Sequence, residues 1–204
     1  MSGEAEKKEG LRERKRRETL QRIAEVGLRL FSEHGYEATT LEAIAEAAGI
    51  SPRTFFYYFR TKDEVLQFWQ SSGFAEAVAP AILEQSTEQT PLHAVRNALV
   101  RLLPRYQNEK SVIVDRILNS TDTLRARKQA FYFGMEQTVF NALSQLWPQP
   151  EHRPQLRMVA MVSIGAMRLA MEARRHDTQT RPLQEYLQES FAVLERQICP
   201  AWAT

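Results

Sequence analysis

Cysteine is nearly absent from this chain of 204 residues, where Cys199 stands alone. An internal disulfide is therefore excluded, and no Cys-x-x-Cys pair exists for zinc or thiol redox chemistry. Histidine is scarce too: His34, His93, His152 and His176 are scattered, and none stands in a metal-ligand spacing. No Gly-x-Ser-x-Gly elbow, Walker loop or Gly-x-Gly-x-x-Gly turn occurs, so the local signatures of catalysis are missing. Long apolar runs are missing as well. The longest strongly apolar, uncharged stretch, 158–167, is far short of the roughly 20 residues that cross a bilayer. The polar start, MSGEAEKKEG, predicts no hydrophobic leader. These absences lead to the expectation of a soluble, cytoplasmic protein that is no enzyme, needs no cofactor or metal, and does not meet a membrane.

What is present is globular in its proportions, with 43% hydrophobic and 25% charged residues. The charge is unevenly spread. From Lys7 to Arg17, seven basic residues (Lys7, Lys8, Arg12, Arg14, Lys15, Arg16, Arg17) face only Glu9 and Glu13, whereas 63–204 holds 15 basic and 15 acidic residues. A basic start on a neutral body fits a phosphate-facing end; a solvated, salt-bridged helix start is the plainer alternative.

No useful length alternates with period two, and Gly and Pro separate long stretches of 3.6-residue period. The fold class expected is all-α. The first helix is predicted over 11–34, with Leu20, Ile23, Ala24, Gly27, Leu28 and Phe31 on one stripe and His34-Gly35 as its end. Thr39 or Thr40 caps a second, 41–48; were Thr39 the cap, Glu42 would complete a capping box. Gly49-Ile50-Ser51 makes a turn, Ser51 caps a third helix over 53–59, and Pro52 takes its first position. Further helices are expected over 61–84 (broken near Ser72-Gly73 or bent at Pro80), 92–106, 111–119, 124–147, 155–176 and 182–198. The division that follows is a disordered tail, 1–10, a three-helix domain, 11–60, and a helical body, 61–204.

The informative stretch is TLEAIAEAAGISPRTFFYYF, 40–59. Two short helices joined by a Gly-containing turn, the second opened by Ser-Pro, form the helix-turn-helix pattern. Phe55, Phe56 and Phe59 read as core, while Arg53, Thr54, Tyr57 and Tyr58 are left to project. An ordinary helical hairpin is the alternative. GISPRTFFYYFRTKDEV resembles the recognition-helix signature of the tetracycline-repressor (TetR) family, and AEVGLRLFSEHGYEATTLEAIAEAAG resembles the helices that lead into it. The likeness covers about 19–66. Arg53, Phe56 and Tyr58 depart from the residues most frequent there.

The resemblance implies an N-terminal helix-turn-helix DNA-binding domain and a C-terminal helical ligand-binding and dimerisation domain. It implies a homodimeric regulator, a repressor in most such proteins, that reads a palindromic double-stranded operator and releases it when a small-molecule effector binds. Thr40 would meet a phosphate. Ser51, Arg53 and Thr54 would face the groove, with Arg53 suited to guanine O6 and N7. Tyr57 and Tyr58 would reach the backbone, Tyr58 also a thymine methyl, and Lys62 a phosphate. Arg14, Lys15, Arg16 and Arg17 would form a flexible arm over the minor groove or backbone, with a solubilising tail as the even alternative. The dimer would form through the last two helices, the first of which carries Met158, Met161, Val162, Gly165, Ala166 and Leu169 at helical spacing; a buried pair within one chain would read identically. No effector-binding residue is legible. Arg96, Arg101, Arg105 and Arg116 read as a solvated face rather than an anion site. A constitutive DNA binder, an activator, and a helical ligand carrier or protein-interaction module that no longer reads DNA are the rival readings.

Overall fold

The computed structural model describes residues 2–70, 73–177 and 181–197. All regular structure among them is helical. The order is α1 (Ser2–His34), α2 (Leu41–Ala47), α3 (Pro52–Tyr58), α4 (Lys62–Gln70), α5 (Phe74–Leu83), α6 (Pro91–Tyr106), α7 (Glu109–Leu118), α8 (Asp122–Leu146), a 3₁₀ turn (Pro150–His152), α9 (Arg153–His176) and α10 (Leu183–Gln197). Helix α1 begins nine residues before the expected start, so 2–10 are helical where the sequence reading has a tail. Its early turns have no apolar stripe, but Ala, Glu, Lys and Arg are strong helix formers and continue the helix on propensity. The basic residues from Arg12 to Arg17 accordingly lie on a helix rather than on an extended arm. The long stretch 61–84 is broken at Gly73, whose φ of +84° suits glycine, and Pro80 falls inside α5. The expectations for Ile198 and Cys199 lie outside the described residues.

The chain divides into two compact units, one of Met1–Ser72 with Glu109–Arg125 and one of Gly73–Asn108 with Ala126–Thr204. This differs from the division at residue 60. Helix α4 belongs with the first unit because Val65 and Leu66 are buried there, and α7 does because Val114, Ile117 and Leu118 join the same core. Each unit has a core of its own. In the first, Ile23, Ala24, Leu28, Ile44, Phe55, Phe59 and Val65 pack together. In the second, α5, α6, α8, α9 and α10 bury Ile82, Leu99, Leu143, Leu156, Ile164, Leu187 and Phe191. Trp69 of α4 packs in the first unit as well, where its Nε1 donates to the Ala24 carbonyl at 2.9 Å.

Gly27 sets how closely α1 approaches its neighbours. A Cβ there would stand 2.6 Å from Val65 Cγ1 and 3.6 Å from Ile44 Cδ1. Val65 is fully buried and branched at Cβ, so it has little freedom to yield. Gly27→Ala gains up to about 1 kcal/mol of helix propensity, but overpacking costs about 1–3 kcal/mol. A lowered denaturation midpoint is therefore expected, with much of the loss absent when Val65→Ala is already in place. Equal losses in both backgrounds would show that the two residues do not oppose each other.

Candidate nucleic-acid interface

Thr40 and Ser51 fix the starts of the two helices that form the motif. Thr40 Oγ1 accepts from the Ala43 N–H at 3.1 Å, and Ser51 Oγ accepts from the Thr54 N–H at 3.1 Å. Thr40 rather than Thr39 is thus the cap, and the capping box with Glu42 does not form. Thr39 is buried, and its hydroxyl donates to the Gly35 carbonyl at 2.8 Å, closing the turn after α1. Gly49 turns the chain between the helices with φ +66°, and Ile50 packs against the core behind it. Ser51 and Thr54 also share a hydroxyl–hydroxyl bond of 2.9 Å.

Helix α3 is sharply two-sided. Phe55 is fully buried and Phe59 nearly so, whereas Ser51, Arg53, Thr54, Phe56 and Tyr57 are exposed and Tyr58 is half-buried. Tyr57 is 71% exposed and Phe56 48%. The exposure of Phe56 corrects its assignment to the core. At 100° per residue, a core that accepts Phe55 and Phe59 turns the intervening ring outward. Arg53, Phe56 and Tyr57 then occupy one face, and the tyrosine rings meet edge to face at 5.1 Å.

Lys62 is more engaged than sequence suggests. Its Nζ donates to the Tyr36 carbonyl at 2.8 Å and the Glu37 carbonyl at 3.2 Å, and lies 4.7 Å from the centroid of the Tyr36 ring. Tyr36, itself buried, donates its hydroxyl to Asp63. The start of α4 is thereby tied to the loop between α1 and α2, beside the Thr40 cap. Tyr36 and Asp63 carry no local sequence signal for this, since their partners lie some 26 residues away.

At the other end of α4, Lys110 of α7 bonds Glu25 Oε1 at 2.5 Å and sits 4.6 Å over the Trp69 ring. The hydrogen bond from Lys110 holds the Glu25 carboxyl below its ordinary range. One lysine therefore ties α7 to α1 and α4 within the first unit. Of the arginines expected on a solvated face, Arg101, Arg105 and Arg116 are exposed, Arg101 pairing with Glu84 at 2.6 Å, whereas Arg96 is half-buried and pairs with Glu195 of α10 at 2.7 Å.

The sequence family described as bacterial regulatory proteins, tetR family, matches residues 23–67, from the second half of α1 into α4. The MftR C-terminal domain family matches residues 89–198, more than half of the chain. The chain belongs to the TetR family. It is 38% identical over 110 residues to the HTH-type transcriptional regulator TcmR of Streptomyces glaucescens, covering 54% of this chain and 48% of that relative. The chain thus spans about half the length of this curated relative. Its fold is similar to that of the SmeT–triclosan complex, at a TM-score of 0.63 and 18% identity over 86% of this chain and 90% of that one. It is similar also to FadR of Thermus thermophilus, a TetR-family repressor in complex with lauroyl-CoA, at 0.55 and 22% over 88% and 94%. The TetR-family fold and its helix-turn-helix domain are thereby established. Among the described residues, no helix is long and apolar enough to cross a membrane.

Proposed function

We propose that this TetR-family chain is a ligand-responsive transcriptional repressor, not an enzyme, that binds a palindromic operator in the cytoplasm as a homodimer. The observation that carries this reading is the two-sidedness of α3. A capped helix with Phe55 fixed in the core holds Arg53, Thr54 and Tyr57 out in solvent, as insertion into a major groove requires. Arg53 reads a base, its planar fork matched to guanine. Thr40 accepts from its own helix and keeps its hydroxyl proton for a phosphate oxygen. Ser51 and Thr54 together retain one hydroxyl proton for the same use. Tyr57 and Tyr58 contact the sugar-phosphate backbone. The Lys62 ammonium has three protons, two of them donated to carbonyls, and offers the third to a phosphate.

The effector binds in the second unit. Two proteins of similar fold carry organic ligands, triclosan in one and lauroyl-CoA in the other. In this chain Ser163 is fully buried within α9, and its hydroxyl has no hydrogen-bond partner among the described residues. Such a group costs about 1–3 kcal/mol, which a ligand's polar atom would recover. Helix α7 packs with α1 and α4, but the chain joins it to α6 of the second unit and to α8, which starts in the first unit with Leu124 in its core and continues into the second, and this gives effector binding a path to the reading helices. Coupling of this kind amounts to about 1–3 kcal/mol and is reciprocal, so operator weakens effector as effector weakens operator.

Selection of random duplexes by the purified protein tests the reading, followed by affinity against salt for the winner. An enriched palindrome with a steep salt slope supports it. Absence of enrichment overturns it in favour of a helical carrier or protein-interaction module. On the selected operator, Arg53→Ala is expected to relax sequence preference at one or two positions, at about 1–3 kcal/mol per half-site. Lys62→Ala is expected to weaken all sequences alike and to reduce the salt slope by about one unit. Because Lys62 also braces the α1–α2 loop, its variant should melt earlier, whereas the Arg53 variant should not. Uniform loss in both variants would remove the base-reading role from Arg53.

A further inference from the structure

Phe56 is half exposed on the helix proposed to enter the groove, and it has no polar atom with which to meet a phosphate. Single exposed apolar side chains are common on protein surfaces and by themselves mean little. Two observations set this one apart. Its ring is held edge to face against the immobile Phe55 ring, with centroids 5.9 Å apart and planes at 90°. It also follows Arg53 by three residues, so the two side chains are neighbours on the exposed face, about 4.5 Å apart along the helix axis.

A phenyl ring in a major groove gains nothing from the polar edges there. Guanine O6 and N7 and the cytosine amino group would lose water to it without a partner. The apolar feature of the groove floor is the thymine 5-methyl group. We propose that Phe56 reads a thymine methyl in each half-site, within two base pairs of the base contacted by Arg53, and so fixes a T·A pair there. This inference rests on the DNA-reading function proposed above and adds a second specificity-determining residue to it.

Deoxyuridine replaces thymine without changing the base pairing and removes only the methyl group. The experiment substitutes it for each thymine of the selected operator in turn, symmetrically in both half-sites, and measures affinity with wild-type protein and with Phe56→Ala. Burial of one methyl corresponds to about a fourfold effect, so the critical substitution should cost wild type about 15-fold over two half-sites. Phe56→Ala should bind the thymine operator with a similar loss and should no longer distinguish thymine from uracil at that position. Phe56→Leu, apolar but smaller, should retain part of the discrimination.

Methyl sensitivity that persists in Phe56→Ala would assign the contact to another side chain, such as Tyr58, and overturn the inference. So would a wild-type protein indifferent to uracil at every position. Either result leaves the regulator reading intact, because an operator would already have been selected. Failure to enrich any duplex overturns both.

Discussion

Met161→Arg is expected to separate the proposed dimer into monomers and to lower affinity for the palindromic operator by about three orders of magnitude, towards non-specific binding. The inner side of α9 is occupied within its own chain, where Leu156, Val159, Ala160, Ile164 and Ala170 are buried. Its outer side is apolar as well. Met158 is 59% exposed, Met161 47% and Leu169 61%, and a Cβ at Gly165 would meet nothing within 4 Å. On α10, Val193 is also exposed. Spaced at three, seven and eleven residues from Met158, these positions form one continuous stripe rather than scattered apolar tips. A two-fold interface sets the same patch of each chain against its copy, so one substitution per chain acts twice. Near the axis, two guanidinium groups would be desolvated and opposed. Since Met161 is half exposed within one chain, the arginine should leave the monomer's melting unchanged. Sedimentation should then report the single-chain mass of 23.6 kDa where the unaltered protein gives twice that. A variant that remained dimeric would move the seam off this face of α9.

Legibility of the fold followed the range over which each feature is determined. The helix-turn-helix is set by neighbours in the chain: Gly49 for the turn, Ser51 for the cap, Pro52 for the first position. These three features are legible in the residues themselves. The association of α4 and α7 with the first unit is not, because an apolar stripe states that a helix is buried without saying against what. The same limit applies within the site. FFYYF offers consecutive aromatics, and which of them faces inward depends on a platform built by Ile23 and Ile44, distant in sequence. Phe56 was therefore misassigned although its helix was not. Thr39 and Thr40 were equivalent as caps until the Gly35 carbonyl claimed the first. Lys62 was found by family likeness, but its two carbonyl partners lie 26 and 25 residues back and leave no trace in the local pattern.

Phe55→Ala is expected to cost the first unit about 3–5 kcal/mol, the largest loss of stability that any single truncation on α3 should produce. The ring is fully buried and packs against the Phe59 and Phe56 rings at 6.1 and 5.9 Å. A helix of seven residues has almost no stability of its own, so α3 is held by this anchor, its cap and the turn before it. Stabilities of about 0.05–0.15 kcal/mol per residue give a unit of roughly 90 residues about 4–13 kcal/mol, and the substitution removes a large share of that. Phe55 has no part in the second core, which is built around residues such as Leu99, Leu143 and Phe191. Hydrogen exchange read by mass spectrometry should therefore show α1 to α4 and α7 opening in the variant while α6, α9 and α10 keep their protection. Operator binding should fail, and dimerisation should survive. The converse substitution, Phe191→Ala, should open the second unit first. If Phe55→Ala instead lowered protection equally throughout, the two cores would unfold as one cooperative structure. Effector energy would then reach the reading helices through global stability rather than through the covalent joints at α7.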